Sequence, residues 1–567
     1  MNTLASSLMC FLLKLLEQHG APRRKPLSKR LPNPDANNTT GQVVRGGFRL
    51  FAVLVISGAI AGCASLPAVN PDRPVSHAIA ASTATTLGRI AEVSKPAPEL
   101  TGFRLMPLGT FSFDTRIELA RRAERTLDVQ YYHIQSDETG RYFVRALRDA
   151  AVRGVRVRLL MDDLYTTGQD DLLLGLMAHP NVELRLFNPF CCARDGEQPV
   201  RFAAALGDLS RVNHRMHNKL YIADGAMAVL GGRNIANEYF LRGLSENFVD
   251  MDVFTVGAIL PDLANIFDTF WNHQVVYPAQ ALLKSGLSVE QLRQHFEIVT
   301  GPVATPPPSA LPHNDALGYG PISEDLDQGR VGLIWGTAIA LADHPSKALA
   351  SGSGTDMMNG VTYNVWEKIT GAQKDLVISS PYLIPGNTGM DMMRELTGRK
   401  VKIQVMTNSL AATDEPLVHI GYSRYRPEMI KLGVDVYELS SSRLSRNKRQ
   451  SGLFGKSMAR LHAKLVVIDQ RLMFIGSMNL DPRSHCTNTE IGLIIDNPQL
   501  ARELLRIIDI DKLQSAYRVR LAEPGSVLQW LAGEDEKEMA LETEPDSTFG
   551  LRLRHLLLGP LVPEELL

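Results

Sequence analysis

Two stretches of this chain carry the same polar residues at the same spacing: HNKLYIADGAMAVLGGRN at 217–234 and HAKLVVIDQRLMFIGSMN at 462–479. Each reads His-x-Lys, four residues, Asp, six residues, Gly followed by Gly or Ser, one residue, Asn. Five fixed residue types at roughly one in twenty each recur by chance about once in millions of positions. Here the pattern occurs twice, 245 residues apart. It reads as a duplicated half-site, two copies of which face each other in one active site.

The spacing points to chemistry at phosphorus. Residues i and i+2 of a strand share a face, so His217 projects with Lys219 and His462 with Lys464. Asp224-Gly225 and Asp469-Gln470 are two-residue hairpin signals. The apolar runs 226–230 and 472–475 then return antiparallel, Gly231-Gly232 and Gly476-Ser477 permit close backbone approach, and Asn234 and Asn479 come back to the His-Lys end. Two ammonium groups and two amides make a cradle for a phosphate and for the charge of its transition state. One imidazole can attack phosphorus while the other protonates the leaving oxygen. No cluster of Asp, Glu and His suggests a metal, the lysines already supply positive charge, and no cofactor is expected.

A nucleophilic His needs an acceptor on its far nitrogen. Glu490 follows His462 by 28 residues and Asp250 follows His217 by 33. Both precede an apolar strand and stand seven residues before a turn residue, Gly257 or Asn497, so Asp250 is preferred to its rival Asp252. Asp224 and Asp469 sit across the hairpin from His and Lys and are expected to hold the motif together.

The elements that position these residues repeat as well. LDVQYYHI (127–134), a helical stretch and GVRVRLLMDD (154–163) precede the first motif; DLVISSPYLI (375–384), a helical stretch and RKVKIQVMTN (399–408) precede the second. Strand–helix–strand order with Val/Leu-rich strands indicates α/β sandwiches, one over 100–275 and one over 331–505. Residues 276–330, with Pro306, Pro307 and Pro308, read as a linker or surface excursion, and 506–567 as a C-terminal extension. Its Leu-rich run Leu551–Leu567 either lies on a membrane or docks on the body, and docking is the expectation.

With 60 Lys+Arg against 61 Asp+Glu among 567 residues, the chain lacks the basic excess of a nucleic-acid binder, and no nucleic-acid partner is expected. The five cysteines (Cys10, Cys63, Cys191, Cys192, Cys486) show neither paired zinc spacing nor a full disulfide framework. Leu50–Ala61 is a 12-residue apolar run after Arg45 and Arg49, too short to span a bilayer but suited to a signal peptide. It ends in Ile60-Ala61-Gly62-Cys63, which resembles a bacterial lipobox. Residues 1–62 are therefore read as a targeting segment, Cys63 as the lipidation site, and 63–99 as a tether. The expected location is the cell envelope, as a membrane-anchored lipoprotein facing the periplasm.

The two motifs resemble the HKD motifs of the phospholipase D superfamily. RLFNPF, WGTAIALADHPSK and LHAK…IGSMNLDPRS are similar to the bacterial cardiolipin synthase branch, and the resemblance runs from about 100 to 567. It implies two tandem phospholipase D-like α-β-α sandwich halves forming one active site at their interface. It also implies ping-pong phosphatidyl transfer through a phosphohistidine, with His217 as nucleophile, His462 as acid and base, and Lys219, Lys464, Asn234 and Asn479 on the phosphate oxygens. Phosphatidylethanolamine is the implied donor and phosphatidylglycerol the acceptor. TNSLAATDEPLVHIGYSRYR (407–426) also matches and puts forward Asp414, His419 and Tyr422 as lipid-binding candidates. Transfer to water would give a phospholipase D instead. A phosphodiester nuclease and a non-catalytic envelope lipoprotein are the remaining readings.

Overall fold

The computed structural model describes residue 66 and residues 74–563, apart from 195, 197, 350–359, 444–456, 523–526 and 535–536; Cys63 and the targeting segment lie outside the described residues. The strands are β1 (Thr101–Met106), β2 (Thr126–Tyr131), β3 (Arg156–Asp162), β4 (Val182–Phe187), β5 (Lys219–Ala223), β6 (Met227–Gly231), β7 (Glu246–Val249), β8 (Asp252–Gly257), β9 (Val276–Pro278) and β10 (Ile334–Ala342). They continue as β11 (Asp375–Ser379), β12 (Lys402–Asn408), β13 (Asp435–Leu439), β14 (Met458–Leu461), β15 (Leu465–Ile468), β16 (Leu472–Gly476), β17 (Ile491–Asp496), β18 (Ala516–Ala522), β19 (Val527–Glu534) and β20 (Lys537–Leu541).

Eighteen of these strands form one sheet. In the first half the order is β9-β4-β3-β2-β5-β6-β8-β1, parallel across β2-β3-β4 and antiparallel elsewhere. The second half repeats it as β10-β17-β16-β15-β11-β12-β13, again parallel only across β11-β12-β13. The halves join where β1 pairs antiparallel with β10.

Both hairpins turn through left-handed residues: Asp224 and Gly225 at φ 50° and 63°, Asp469 and Gln470 at 52° and 55°. Each Asp carboxylate pins its turn to the start of the neighbouring strand. Asp224 accepts the N–H groups of Glu124, Arg125 and Thr126, and Asp469 those of Gln373, Lys374 and Asp375.

The helices used below are α1 (Leu260–Trp271), α2 (Val289–Thr300), α3 (Pro416–Lys431), α4 (Pro498–Ser515) and α5 (Phe549–Leu558). One core lies between the halves. Leu263, Phe267 and Trp271 of α1 and Leu500 and Leu504 of α4 bury there with Leu220, Leu230, Leu465 and Ile475 from both motifs. At about 25 cal/mol per Å² of apolar surface removed from water, this shared core resists separation of the half-sites. Two further cores lie one in each half. Among the described residues no helix is long and apolar enough to cross a membrane.

Three stretches are more structured than the sequence reading had them. Residues 276–330 are folded onto the first half, because α2 buries Leu292 and Phe296 and Asp325 ion-pairs with Arg104 at 3.1 Å. Residues 74–99 do not hang free. Carbonyls of Pro74 and Ser76 accept from the buried Arg185 and Arg158 at 3.0 Å each, and Leu87 and Ile90 enter the core. The C-terminal extension adds β18, β19 and β20 to the second half's sheet edge beside β13.

Candidate active site

β7 and β14 form a separate parallel pair that crosses between the halves, with Val249 opposite Leu461. The next residue on each strand is therefore Asp250 and His462, side by side. An isolated parallel bridge of Met216 with Thr489 likewise sets His217 beside Glu490. The backbone N–H of His217 donates to Thr489 O at 2.9 Å and that of His462 to Val249 O at 2.8 Å. As a result His217 Nδ1 lies 2.9 Å from Glu490 Oε2, and His462 Nδ1 lies 2.7 Å from Asp250 Oδ2. Each carboxylate holds the imidazole of the opposite half, so neither half-site is complete alone. With Nδ1–H given to an acid, Nε2 of each ring carries the free lone pair.

The two acids are built differently. Glu490 accepts Ser477 Oγ at 2.5 Å on Oε2 and Ser484 Oγ at 2.9 Å on Oε1. Its backbone N–H donates to Asp343 Oδ2 at 3.1 Å, which also accepts Lys347 Nζ at 2.7 Å. Asp250 has Gly232 where Glu490 has Ser477, and a Cβ on Gly232 would stand 2.1 Å from Asp250 Oδ1. Glycine leaves the room that the shorter acid needs. Asp252 belongs to another network, accepting Ser112 Oγ at 2.6 Å and ion-pairing with Arg116 at 3.0 Å.

Burial shapes the protonation of the site. Desolvation, with repulsion from Lys219 and Lys464, holds His217 well below its usual value and His462 at about 3. Both imidazoles are thus neutral in the free protein. Burial lowers Lys219 strongly and brings Lys464 to about 8, the latter supported by Asp250, Asp414 and Glu490. It lifts Glu490 to about 7. Asp250 feels the same burial, but His462, Lys464 and Arg233 outweigh it and bring it to about 2.

Lys219 and Lys464 are 0% and 2% exposed. Each gives one proton to the backbone carbonyl of the His two residues before it, Lys219 at 2.6 Å. Among the described residues neither forms an ion pair. Burial holds both amines below the usual lysine range, and an anion seated between them would favour their charged form, so the two lysines beside two imidazoles mark a place for an anion. Asn234 Nδ2 donates to Tyr239 OH at 2.9 Å, and the Oδ1 atoms of Asn234 and Asn479 are buried with no hydrogen-bond partner among the described residues.

Aromatic rings wall the histidines, Tyr132 at 5.0 Å from His217 and Tyr239 and Phe248 at 5.1 and 5.0 Å from His462. These walls were not singled out from the sequence. Their one sequence signal is position, Tyr132 directly after β2, the strand that pairs with the motif strand β5, and Tyr239 five residues after Asn234. Of the lipid-binding candidates, Asp414 accepts Tyr382 OH at 2.7 Å, and its Oδ1 is buried without a hydrogen-bond partner among the described residues. His419 and Tyr422 are built into a different cluster. There Arg426 reaches Glu438 and Glu544 at 2.7 Å each, Tyr422 OH donates to Glu438 at 2.8 Å, and His419 meets His555 at 3.2 Å. His419, Glu438 and Glu544 offer ligand atoms within 4.8 Å of one another, but the guanidinium already occupies both carboxylates.

Two half-sites of His, Lys and Asn on a duplicated α/β sheet define a phospholipase D-type protein. More narrowly, the chain belongs to the family described as cardiolipin synthase, PLD-like domain, whose profile matches residues 117–271 and 365–511. It is 36% identical over 464 residues to cardiolipin synthase C of Escherichia coli (strain K12), covering 80% of this chain and 93% of that protein. It is 25% identical over 427 residues to a cardiolipin synthase of Staphylococcus aureus (strain N315), covering 75% and 69%. Among solved structures, phosphatidylserine synthase of Haemophilus influenzae Rd KW20 superposes with a TM-score of 0.49 at 14% identity, over 82% of this chain and 95% of that one.

Proposed function

We propose that this protein is a phosphatidyltransferase that joins glycerophospholipids into cardiolipin through a phosphohistidine. The observation that carries the reading is a pair of buried lysines, neither in an ion pair among the described residues, flanking two neutral imidazoles that are each held by a carboxyl group of the opposite half. Similarity to cardiolipin synthase C over 93% of its length supports lipid rather than nucleic acid as substrate.

In the first step Nε2 of His217 attacks the phosphorus of the donor, phosphatidylethanolamine. The bond from phosphorus to the ethanolamine oxygen breaks, and His462 gives that oxygen its proton. In the second step His462 takes the proton of a phosphatidylglycerol hydroxyl, whose oxygen displaces His217 from phosphorus. The substrate phosphate brings the negative charge that Lys219 and Lys464 lack. This offsets the repulsion that, after burial, keeps the histidines low, so His462 acquires its proton in the complex. Turning the Asn234 amide over lets Tyr239 OH donate to it and frees its NH₂ for a phosphate oxygen; Asn479 serves the same role across the cleft. Asp414, oriented by Tyr382, receives the acceptor's hydroxyl. Acyl chains on Cys63 hold the protein to the envelope membrane, facing the periplasm.

Product analysis tests the reading. Purified protein with phosphatidylglycerol and phosphatidylethanolamine should yield cardiolipin and free ethanolamine. Phosphatidic acid alone would make it a hydrolase, and no product would leave the envelope-lipoprotein reading. Radiolabelled palmitate fed to cells should be incorporated into the protein at Cys63 and not into Cys63→Ala protein; equal labelling of the two counts against the anchor.

A further inference from the structure

Helix α5 turns its apolar side to solvent. It is clamped to the body at both ends. Before it, Asp546 accepts Ser440 Oγ at 2.6 Å and Ser442 Oγ at 2.9 Å. After it, Arg424 donates to Gly559 O at 2.8 Å and Val562 O at 2.6 Å, while Leu558 and Val562 pack on Ile384, Leu417 and Ile420. Yet no residue of the helix is buried. Phe549, Leu553, Leu556 and Leu557 are 72, 42, 70 and 62% exposed, and Leu561 just beyond is 57% exposed. Their spacing of i, i+4, i+7 and i+8 makes one stripe along the helix. A helix whose apolar stripe faces away from the core it rests on presents an interaction surface.

Charge and position identify the partner. Between Phe549 and Leu561 the charged side chains are Arg552 and Arg554, with acidic residues only outside the helix at Glu542, Glu544, Asp546, Glu564 and Glu565, and a basic helix with an apolar stripe is the pattern of one lying in an anionic lipid interface. Its footing is beside the site. Ile384 donates its N–H to Leu480 O at 2.8 Å, next to Asn479, and Leu417 stands three residues beyond Asp414.

We propose that α5 is a membrane-contact helix, laying Phe549, Leu553, Leu556 and Leu557 into the acyl boundary of an anionic phospholipid bilayer and setting the cleft against lipid held there. The purpose rests on the phosphatidyl-transfer reading; the binding does not.

The test uses full-length protein carrying Cys63→Ser, so that acylation cannot tether it, and sedimentation with phosphatidylglycerol/phosphatidylethanolamine vesicles. Leu553→Ser with Leu556→Ser and Leu557→Ser should lower vesicle partitioning by about tenfold or more. Circular dichroism and activity on detergent-dispersed lipid should stay within about twofold. In a separate variant, Phe549→Trp should add tryptophan fluorescence that acyl-brominated lipids quench. Vesicle binding by the triple variant within about twofold of its parent, or an unquenched Trp signal, overturns the proposal. So does sedimentation showing a dimer that the triple variant dissolves, which would give the stripe to a second copy. If the parent transfers no phosphatidyl group in detergent, the functional reading fails while the vesicle result still stands.

Discussion

Glu490 sets activity against stability. The hydrogen bond from His217 Nδ1 at 2.9 Å needs an acceptor there, but the carboxyl is fully buried, and desolvation lifts it from 4.5 to about 7 against Lys219 and the serine hydroxyls. The folded protein thus binds this proton more tightly than the unfolded chain does. Its stabilisation is full below about pH 4.5 and is lost as pH rises through about 7. At about 1.4 kcal/mol per pH unit, the gap amounts to about 3 kcal/mol. Glu490→Gln keeps the shape and an acceptor oxygen without titrating. In urea unfolding, its stability relative to wild type should therefore improve by about 3 kcal/mol between pH 4.5 and pH 8. Its kcat should fall by about 10²–10⁴, as when the charge behind a catalytic imidazole is removed. A stability difference independent of pH, or activity within about tenfold of wild type, would refute the reasoning.

Gly232→Ala brings a Cβ to 2.1 Å from Asp250 Oδ1; displacing that carboxylate from His462 should lower kcat by about tenfold or more with the circular dichroism spectrum unchanged. Because burial places Lys464 at about 8, the phosphate cradle loses charge above that pH, and kcat/KM should fall about tenfold per pH unit there; a flat profile to pH 10 contradicts this. Asp224→Ala removes the acceptor for three backbone N–H groups and should cost about 2–4 kcal/mol in unfolding free energy. An unchanged unfolding midpoint contradicts it.

The repeat made the candidate site legible. Its spacing carries His, Lys and Asn to one end of each hairpin, and the duplicated strand–helix–strand order announces the α/β halves. Distance along the chain is silent on which half an acid serves. Asp250 reaches His462 only because β7 pairs with β14, two four-residue strands too short to carry a pattern of their own. Ser484, Asp343 and Lys347 support Glu490 from segments whose polar residues read as ordinary turn chemistry. Residues 276–330 looked like a linker because the prolines are conspicuous, whereas a single amphipathic face, Leu292 with Phe296, decides where that segment packs. The 74–99 segment is held by backbone groups of Pro74, Ser76 and Ala78, which every residue has, and by the two apolar side chains Leu87 and Ile90.

The central claim is a covalent bond between phosphorus and His217. A phosphatidyl ester of p-nitrophenol, radiolabelled at phosphorus, needs no acid for its leaving group, so His462→Ala protein should still react with it and then stall. Quenching, digestion and sequencing of the labelled peptide should place the phosphorus on His217, in an acid-labile linkage, with no label in His217→Ala protein. Label on His462 in the His217→Ala protein would reverse the two roles, and an unlabelled His462→Ala protein that releases p-nitrophenol in bulk would contradict the covalent mechanism.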